Sequence, residues 1–461
     1  MKNILRFIRS SGLILWTMLV IFSGSVYAAG GIMSGSGTTA NPFLVADYGD
    51  LKVIGTTETY SLSAIYRLIS DIDASASQTE NSGAGFVPIG NGTAYFIGKF
   101  HGAGHVIKNL YINRSAADIV GLFGYIRSAI IDSFGVLNAN ITGGSCTGCI
   151  VGANDGTITD CYATGNVAAD SNGYAGGITG GNGGRIINCY ATGSVTGNYG
   201  KTGGLVGSNS GMIANCYATG NITGNHSCVG GFAGASVGTI ANCYASGNVT
   251  GNNSCIGGFV GENYDGATTR NCYAVGNVTG SGNDVGGVAG LNTDSISNCY
   301  WDTQVTGQAS GCGDNESMFS GSGLTTTQMK QSSSFNGWDF TTVWSINSNI
   351  NNGYPYLASN RATSVEGLRS VSLKTYTLFQ NYPNPFNPTT TIQFSVEKDG
   401  RAVVKAFDLL GREAATLYDN VAQAGKNYTA IFDGSRLSSG VYFYMIESNN
   451  QRIVKKMLLL K

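Results

Sequence analysis

The chain has 461 residues, of which 69 are glycine and 11% are charged, and its formal net charge is −1. A chain with so little charge, and no basic cluster in its repeat region, is excluded as an electrostatic nucleic-acid binder. Residues 1–28 read as a secretory signal peptide. Lys2, Arg6 and Arg9 give a positive start, residues 12–22 are an apolar run too short to span a bilayer comfortably, and Val26-Tyr27-Ala28 forms a small-residue cleavage site. Losing the leader's three positive charges takes the net charge from −1 to −4. No other segment is suited to span a bilayer, so the mature chain is expected to be soluble or surface-attached.

Residues 29–117 read as an N-terminal cap and the first coils of a solenoid. Residues 35–51 are the entry segment, which shields strand edges that would otherwise invite aggregation. Residues 86–90 and 100–112 follow as irregular coils. From 118 to 300 the chain repeats itself. Cys-Tyr pairs begin at 161, 189, 216, 243, 272 and 299, in steps of 28, 27, 27, 29 and 27, and a fixed period of this size marks a stacked array. Gly, Asn and Thr between short apolar runs read as strands and turns. One unit has too few apolar residues for a core of its own, so the reading is a parallel, right-handed β-helix in which like residues stack coil upon coil.

Three apolar columns follow from the period: Ile158, Ile186, Ile213, Ile240 and Ile296 with Thr269 as the exception; Cys161 to Cys299, with Ser133 one period upstream; and Val167, Val195, Ile222, Val249 and Val278. Ile213 and Cys216 both face inward although three apart, which requires a corner between them. Asn215 and its equivalents Asn188, Asn242, Asn271 and Asn298 are placed at that corner. Asn154, Asn182, Asn209, Asn263 and Asn292, with Ser236 substituting, form a second amide column able to bond from coil to coil. The wording Gly203-Gly204-Leu205-Val206-Gly207 followed by Asn215-Cys216-Tyr217-Ala218-Thr219-Gly220 resembles the GLUG repeat, over roughly residues 118–300. The resemblance implies a surface-exposed solenoid of the kind found in adhesin-like bacterial proteins, and no defined ligand.

Residues 301–360 break the rhythm. Trp338, Phe340, Trp344 and residues 354–357 suit a C-terminal cap over the last coil; an aromatic sugar-binding module is the competing reading. Residues 361–375 read as a linker. Residues 376–461 carry three of the six prolines, no cysteine, and alternating strands with a hairpin around 448–451, which suits a small immunoglobulin-like β-sandwich. Asn381-Tyr382-Pro383-Asn384-Pro385-Phe386-Asn387-Pro388, the strand starting Gly440-Val441-Tyr442, and Lys455-Lys456 near the terminus resemble the type IX secretion sorting domain. That resemblance implies passage through the type IX machinery, removal of the domain and attachment to surface lipopolysaccharide. It makes Asn381, Pro383, Asn384, Pro385, Gly440, Tyr442, Lys455 and Lys456 the sorting signal.

The chemistry-bearing residues are sparse. The six ladder cysteines read as small apolar core residues. Cys228 and Cys255, each two residues before a Gly-Gly and one coil apart, are the candidate disulfide, with Cys146 at the same place further up. The Cys146-Cys149 spacing lacks the further ligands of a zinc site, and His101, His105 and His226 do not supply them. Asp71 and Asp73 are too few for a calcium site. No phosphate loop or metal cluster is present, so no cofactor is expected. Glu262, Asp265 and Asp294 are the acids that a polysaccharide-degrading β-helix enzyme, lyase or glycoside hydrolase, would use; a turn explains Asp265 more simply. Tyr162, Tyr190, Tyr217, Tyr244, Tyr273 and Tyr300 follow the inward cysteines, point outward and stack. They could grip a glycan or a protein, or stiffen the sheet under a neighbouring loop. The expected protein is therefore a secreted, non-enzymatic structural or adhesive module with an extracellular glycan or protein ligand.

Overall fold

The computed structural model describes residues 31–170, 173–225, 228–252, 255–314, 317–358, 377–378, 381, 386–396, 398–423, 427–449 and 451–461. The leader 1–28, the linker 361–375, His226, Pro383, Asn384 and Pro385 lie outside the described residues. Short strands separated by glycine- and asparagine-rich turns wind into a parallel β-solenoid of about 10 turns. One repeat runs through five of them: Lys201–Gly203, Val206–Asn209, Met212–Ala214, Tyr217–Ala218 and Ile222–Gly224. Each pairs in parallel with its equivalent in the next coil, as in Ile213↔Ile240, Tyr217↔Tyr244 and Ile222↔Val249.

The corner between the Ile and Cys columns is made as the spacing requires. Asn188, Asn215, Asn242, Asn271 and Asn298 have φ of 50–55°, the left-handed region that asparagine tolerates best after glycine. Both columns therefore reach the core with no exposure above 1%. Thr269 takes its place between Ile240 and Ile296. One position differs from the reading. A register shift in the pairing of Phe123–Asp132 with Val151–Thr159, from Arg127↔Asp155 (a step of 28) to Ile130↔Thr157 (a step of 27), puts Ser133 at the corner, with φ 60°. The buried Phe134, between Ser133 and Gly135, which pairs with Tyr162, takes the place expected of Ser133.

Amides line the corners and the interior in opposite directions. At the corner Asn215 Nδ2 donates back to Asn188 Oδ1 (3.3 Å) and Asn188 Nδ2 to Asp160 Oδ1 (3.0 Å). An aspartate, which only accepts, is a fitting end for a ladder that donates toward the N-terminus. Inside, Asn154 Nδ2 donates forward to Asn182 Oδ1 (2.6 Å) and Asn182 to Asn209 (2.7 Å).

At the N-terminal end, Phe43–Val45 pairs with Ile65–Leu68, and the helix Tyr48–Val53, capped by the Asp47 side chain accepting from Asp50 N, buries Leu51 against the first coil. Beyond the solenoid, Thr389–Ser395 pairs antiparallel with Thr377–Leu378 and Asn427–Asp433, and Gly400–Phe407, Glu413–Ala422, Gly440–Ser448 and Gln451–Leu459 make a four-stranded antiparallel sheet. Ile392, Phe394, Val404, Tyr444, Ile446 and Met457 from the two sheets share one core.

Candidate functional site

The tyrosine column is the first place to look for a binding surface. Each tyrosine directly follows an inward cysteine, so its ring leaves the opposite face. Tyr162, Tyr190, Tyr217, Tyr244 and Tyr273 stack nearly parallel, with successive centroids 4.7–5.0 Å apart. The column is not open to solvent, however. Tyr190, Tyr217, Tyr244, Tyr273 and Tyr300 are buried in one cluster with Met329, Phe335, Trp338, Trp344, Tyr354 and Leu357, and only Tyr162 stays partly exposed.

The segment expected to cap the last coil does more than that. Phe319–Leu324 continues the sheet against Ser295–Asp302, and the chain beyond it folds back along the tyrosines. Trp344 packs on Tyr244 and Tyr273 (centroids 6.3 and 5.9 Å), and Trp338 on Tyr273 and Tyr300 (6.1 and 5.6 Å). Polar contacts lock it: Trp338 Nε1 donates to Asn298 O (2.9 Å), Tyr354 OH to Asp302 Oδ2 (2.8 Å), and Tyr273 OH to Pro355 O while accepting from Asn351 Nδ2 (2.7 Å). The rings at 190–300 are thus the inner layer of an intramolecular clasp. The physical reason is area: a stripe of stacked rings left in water is costly, and the chain's own aromatic segment covers it.

Five of the six column thiols are chemically quiet; at Cys189 burial is outweighed by hydrogen bonds from Cys161 and Cys216, which hold it below the ordinary thiol range. Each thiol points at a carbonyl two residues back, as Cys216 Sγ to Ala214 O (3.1 Å), and burial pushes Cys161, Cys216, Cys243, Cys272 and Cys299 well above the ordinary thiol range. Burial also lifts Cys146 to about 11 and Cys149 to about 12. Cys228 and Cys255 are thiols on adjacent coils: Val229 pairs with Ile256, and Val229 N donates to Cys255 O (2.9 Å).

Cys228 belongs to a polar group that the sequence reading missed. Its Sγ lies 3.6 Å from Glu262 Oε2, Lys201 Nζ lies 3.2 Å from the same oxygen, and Lys201 Nζ donates to Tyr264 OH (2.9 Å). The signal was present, since Lys201 and Glu262 are charged residues on strands otherwise made of glycine and small or apolar residues. The two sit two coils apart on neighbouring strands, which a search within one column does not find.

The other acids are committed to structure. Asp294 Oδ2 accepts from Gly266 N (2.9 Å), and Asp265 is a turn residue with φ 55°. Asp71 pairs with Lys108 (3.1 Å) and His105 (3.3 Å), and Asp73 accepts from Asn109 Nδ2 (3.0 Å). His101 is paired with Asp132. Among the described residues no group of three His, Cys, Asp or Glu is arranged to hold a metal ion.

In the C-terminal unit, Asn381 is buried, donating its backbone N–H to Tyr444 OH (2.8 Å) and Nδ2 to Thr390 Oγ1 (2.9 Å). Tyr442 OH donates to Ser438 O (2.9 Å), and Gly440 opens the strand Gly440–Ser448. Lys455 and Lys456 lie on the outer strand Gln451–Leu459, Lys455 half-buried and Lys456 exposed.

This geometry agrees with the comparisons to known proteins. Residues 171–196, 198–223, 225–250 and 252–279 match the GLUG motif, and residues 380–460 match the secretion system C-terminal sorting domain. The protein is a secreted surface repeat protein: a β-solenoid of GLUG repeats followed by a type IX sorting domain. That domain engages the type IX machinery and directs export across the outer membrane, to the cell surface or the extracellular space.

The chain is 38% identical over 146 residues to Halomucin of Haloquadratum walsbyi, covering 30% of this chain and 2% of that one. It is 31% identical over 134 residues to an Evansella cellulosilytica protein provisionally named a Gly-rich membrane protein, covering 27% of this chain and 14% of that one. It therefore spans only a small part of either relative. Its fold resembles the crystal structure of a Bacteroides ovatus protein provisionally described as an immunoglobulin A1 protease, with TM-score 0.50 and 24% identity over 70% of this chain and 94% of that one. At that identity the likeness is one of fold alone.

Proposed function

We propose that the protein is a structural or adhesive module displayed on the cell surface, that its solenoid binds an extracellular glycan or protein, and that it is not an enzyme. In the same reading the solenoid is right-handed, the C-terminal unit is an immunoglobulin-like sandwich, and the sorted protein is attached to surface lipopolysaccharide. The observation that carries the non-enzymatic reading is the commitment of the acids: Glu262 is paired with Lys201, and Asp294 holds a turn. A glycosidase needs two carboxyl groups facing each other across a cleft, about 5–9.5 Å apart. The solenoid offers a long rigid spacer instead, and a relative provisionally named a membrane protein is compatible with surface display.

The test is to incubate the secreted protein with a glycan and matrix-protein array and, in parallel, with soluble polysaccharides. Binding without release of reducing ends or unsaturated sugars is the expected result. Time-dependent release of either product overturns the non-enzymatic reading.

A further inference from the structure

A trough runs along the outside of the Gly-rich strands. Its floor is the outward position of successive coils, Ala153, Gly181 and Ser208, which pair in register with Tyr125 before them and the buried Ala235 after them. It is bounded along the solenoid axis by Tyr125, whose hydroxyl donates to Asp155 and whose ring packs edge-on against Tyr95 (4.9 Å). At the other end stand Glu262, next in register after Ala235, and the Lys201 that reaches it. Between these ends lies a cleft of about 310 Å³, lined among others by Asp155, Tyr174, Gly181, Ser208 and Ser210, near the lower end of ligand-pocket sizes.

Gly181 keeps this cleft open without serving the backbone. A Cβ there would meet only Cys146 Sγ at 3.8 Å and Tyr174 Cδ2 at 3.9 Å, ordinary contacts. Its neighbours Gly180 and Gly184 would place a Cβ 2.4 and 2.1 Å from backbone atoms, so close packing forces glycine at those two and not at 181. Tyr174 is 37% exposed, at the edge of the cleft. Asp155 is exposed, with Oδ1 lying over Gly183.

We infer that this cleft binds a neutral, extended oligosaccharide laid along the solenoid axis, with Tyr174 as its ring platform. An aromatic face takes the C–H face of a pyranose, and a carboxylate beside serine hydroxyls takes sugar hydroxyls. The coil spacing of about 4.8 Å is comparable to the rise of one pyranose in an extended chain, so successive floor positions present themselves to successive sugars. No basic residue lines the cleft while Asp155 does, which disfavours an anionic glycan. This rests on the adhesive reading above and gives it a site and a ligand class.

The experiment is calorimetric titration of the full secreted chain with cellotriose, xylotriose, chitotriose and, as the anionic comparison, trigalacturonate. At least one neutral trisaccharide binds. Tyr174→Ala weakens it about tenfold or more, Tyr174→Phe stays within about twofold, and Gly181→Leu abolishes it with an unchanged melting temperature. Absence of binding by all three neutral sugars at about 10 mM, a range that detects even weak sites, overturns the inference, as does equal or better binding of trigalacturonate. Undiminished binding in Gly181→Leu and Tyr174→Ala overturns this site while leaving the adhesive reading intact.

Discussion

The Thr269 hydroxyl donates to Asn263 Oδ1 at 3.0 Å, and both side chains are fully buried. In the same ladder the equivalent oxygens of Asn182, Asn209 and Asn292 accept from the amide of the preceding coil. The coil before Asn263 has Ser236, whose hydroxyl accepts from Asn209 Nδ2 (3.1 Å) and turns to Gly238 O (3.4 Å). Two exceptions in two separate columns are therefore one compensated pair. Thr269→Val restores an all-apolar column and gains roughly 0.8 kcal/mol for one methyl. It also strips a donor from a buried acceptor at about 1–3 kcal/mol, so net destabilisation is expected in urea unfolding. Adding Ser236→Asn supplies the missing amide and recovers most of the loss. Stability of Thr269→Val equal to the parent contradicts the account.

The clasp over the tyrosines makes a second prediction. Trp344 is 1% exposed and stands against both Tyr244 and Tyr273. Trp344→Ala is expected to cost about 3–5 kcal/mol and to release residues 325–358 to limited proteolysis while the coils stay resistant. Tyr174→Ala, at an exposed ring, leaves the proteolysis pattern unchanged. Equal resistance of Trp344→Ala and the parent removes the clasp from the picture.

What was legible in the sequence was whatever the period multiplies. The Ile, Cys and Val columns and the Asn215 corner each recur in five or more coils, so a single stacking rule places them all. The clasp occurs once. Nothing in Trp338 or Trp344 says whether they close the end of the solenoid or lie along its side, because that depends on which apolar stripe needs cover. Ser133 failed for a related reason: a register shift between Phe123–Asp132 and Val151–Thr159 shortens the step between coils by one residue just before it. The trough escaped notice because it is built between columns, and its main feature at Gly181 is the absence of a side chain.

Alkaline pH should weaken the solenoid before it reaches the tyrosines. Cys161, Cys216, Cys243, Cys272 and Cys299 are held protonated by burial. Unfolded, each releases its proton near the ordinary thiol value of about 8.5. Above that pH the unfolded state binds fewer protons than the native one, so stability falls as pH rises, by up to about 1.4 kcal/mol per pH unit for each thiol. Tyr244 and Tyr273, raised by the same cause, add to the slope only above about 10. Urea midpoints measured from pH 8 to 11 should drop steeply from about 9. Cys243→Ala lowers stability overall and flattens that drop; a slope untouched by the substitution rules the thiols out as its source.

The sorting domain carries its own test. Residues 440–461 supply Tyr444, Ile446, Met457 and Leu459 to the core of the C-terminal unit, so their deletion removes the folded signal as well as Lys455 and Lys456. Cell fractionation should find the truncated chain in the periplasm, and mass spectrometry of the normal surface form should find no peptides from 403–461. Surface display of the truncated chain would refute the assignment of the export signal.

Cys228 and Cys255 give the last prediction. Each lies one residue before a paired strand position, Val229 opposite Ile256, so their backbones are one coil spacing apart, about 4.8 Å and within disulfide range. Cys255 has φ 64°. That left-handed corner turns its Cβ away from the common strand direction, a freedom that Cys216 and Cys243 lack because they follow their corner asparagines rather than forming them. Exchange with a small-molecule disulfide such as oxidised glutathione balances as two thiols oxidised to one protein disulfide and two glutathione thiols released. The closed loop of about 27 residues corresponds to roughly 3–4 kcal/mol in the chain-entropy model, an upper figure here because the parallel ladder already holds the two coils together. Peptide mapping of the secreted protein without reductant is expected to show the 228–255 link, lost on reduction, and Cys228→Ser should remove it with a lower melting temperature under oxidising conditions only. A map in which both are labelled as free thiols, alongside an oxidised pair elsewhere, assigns the bridge to another column.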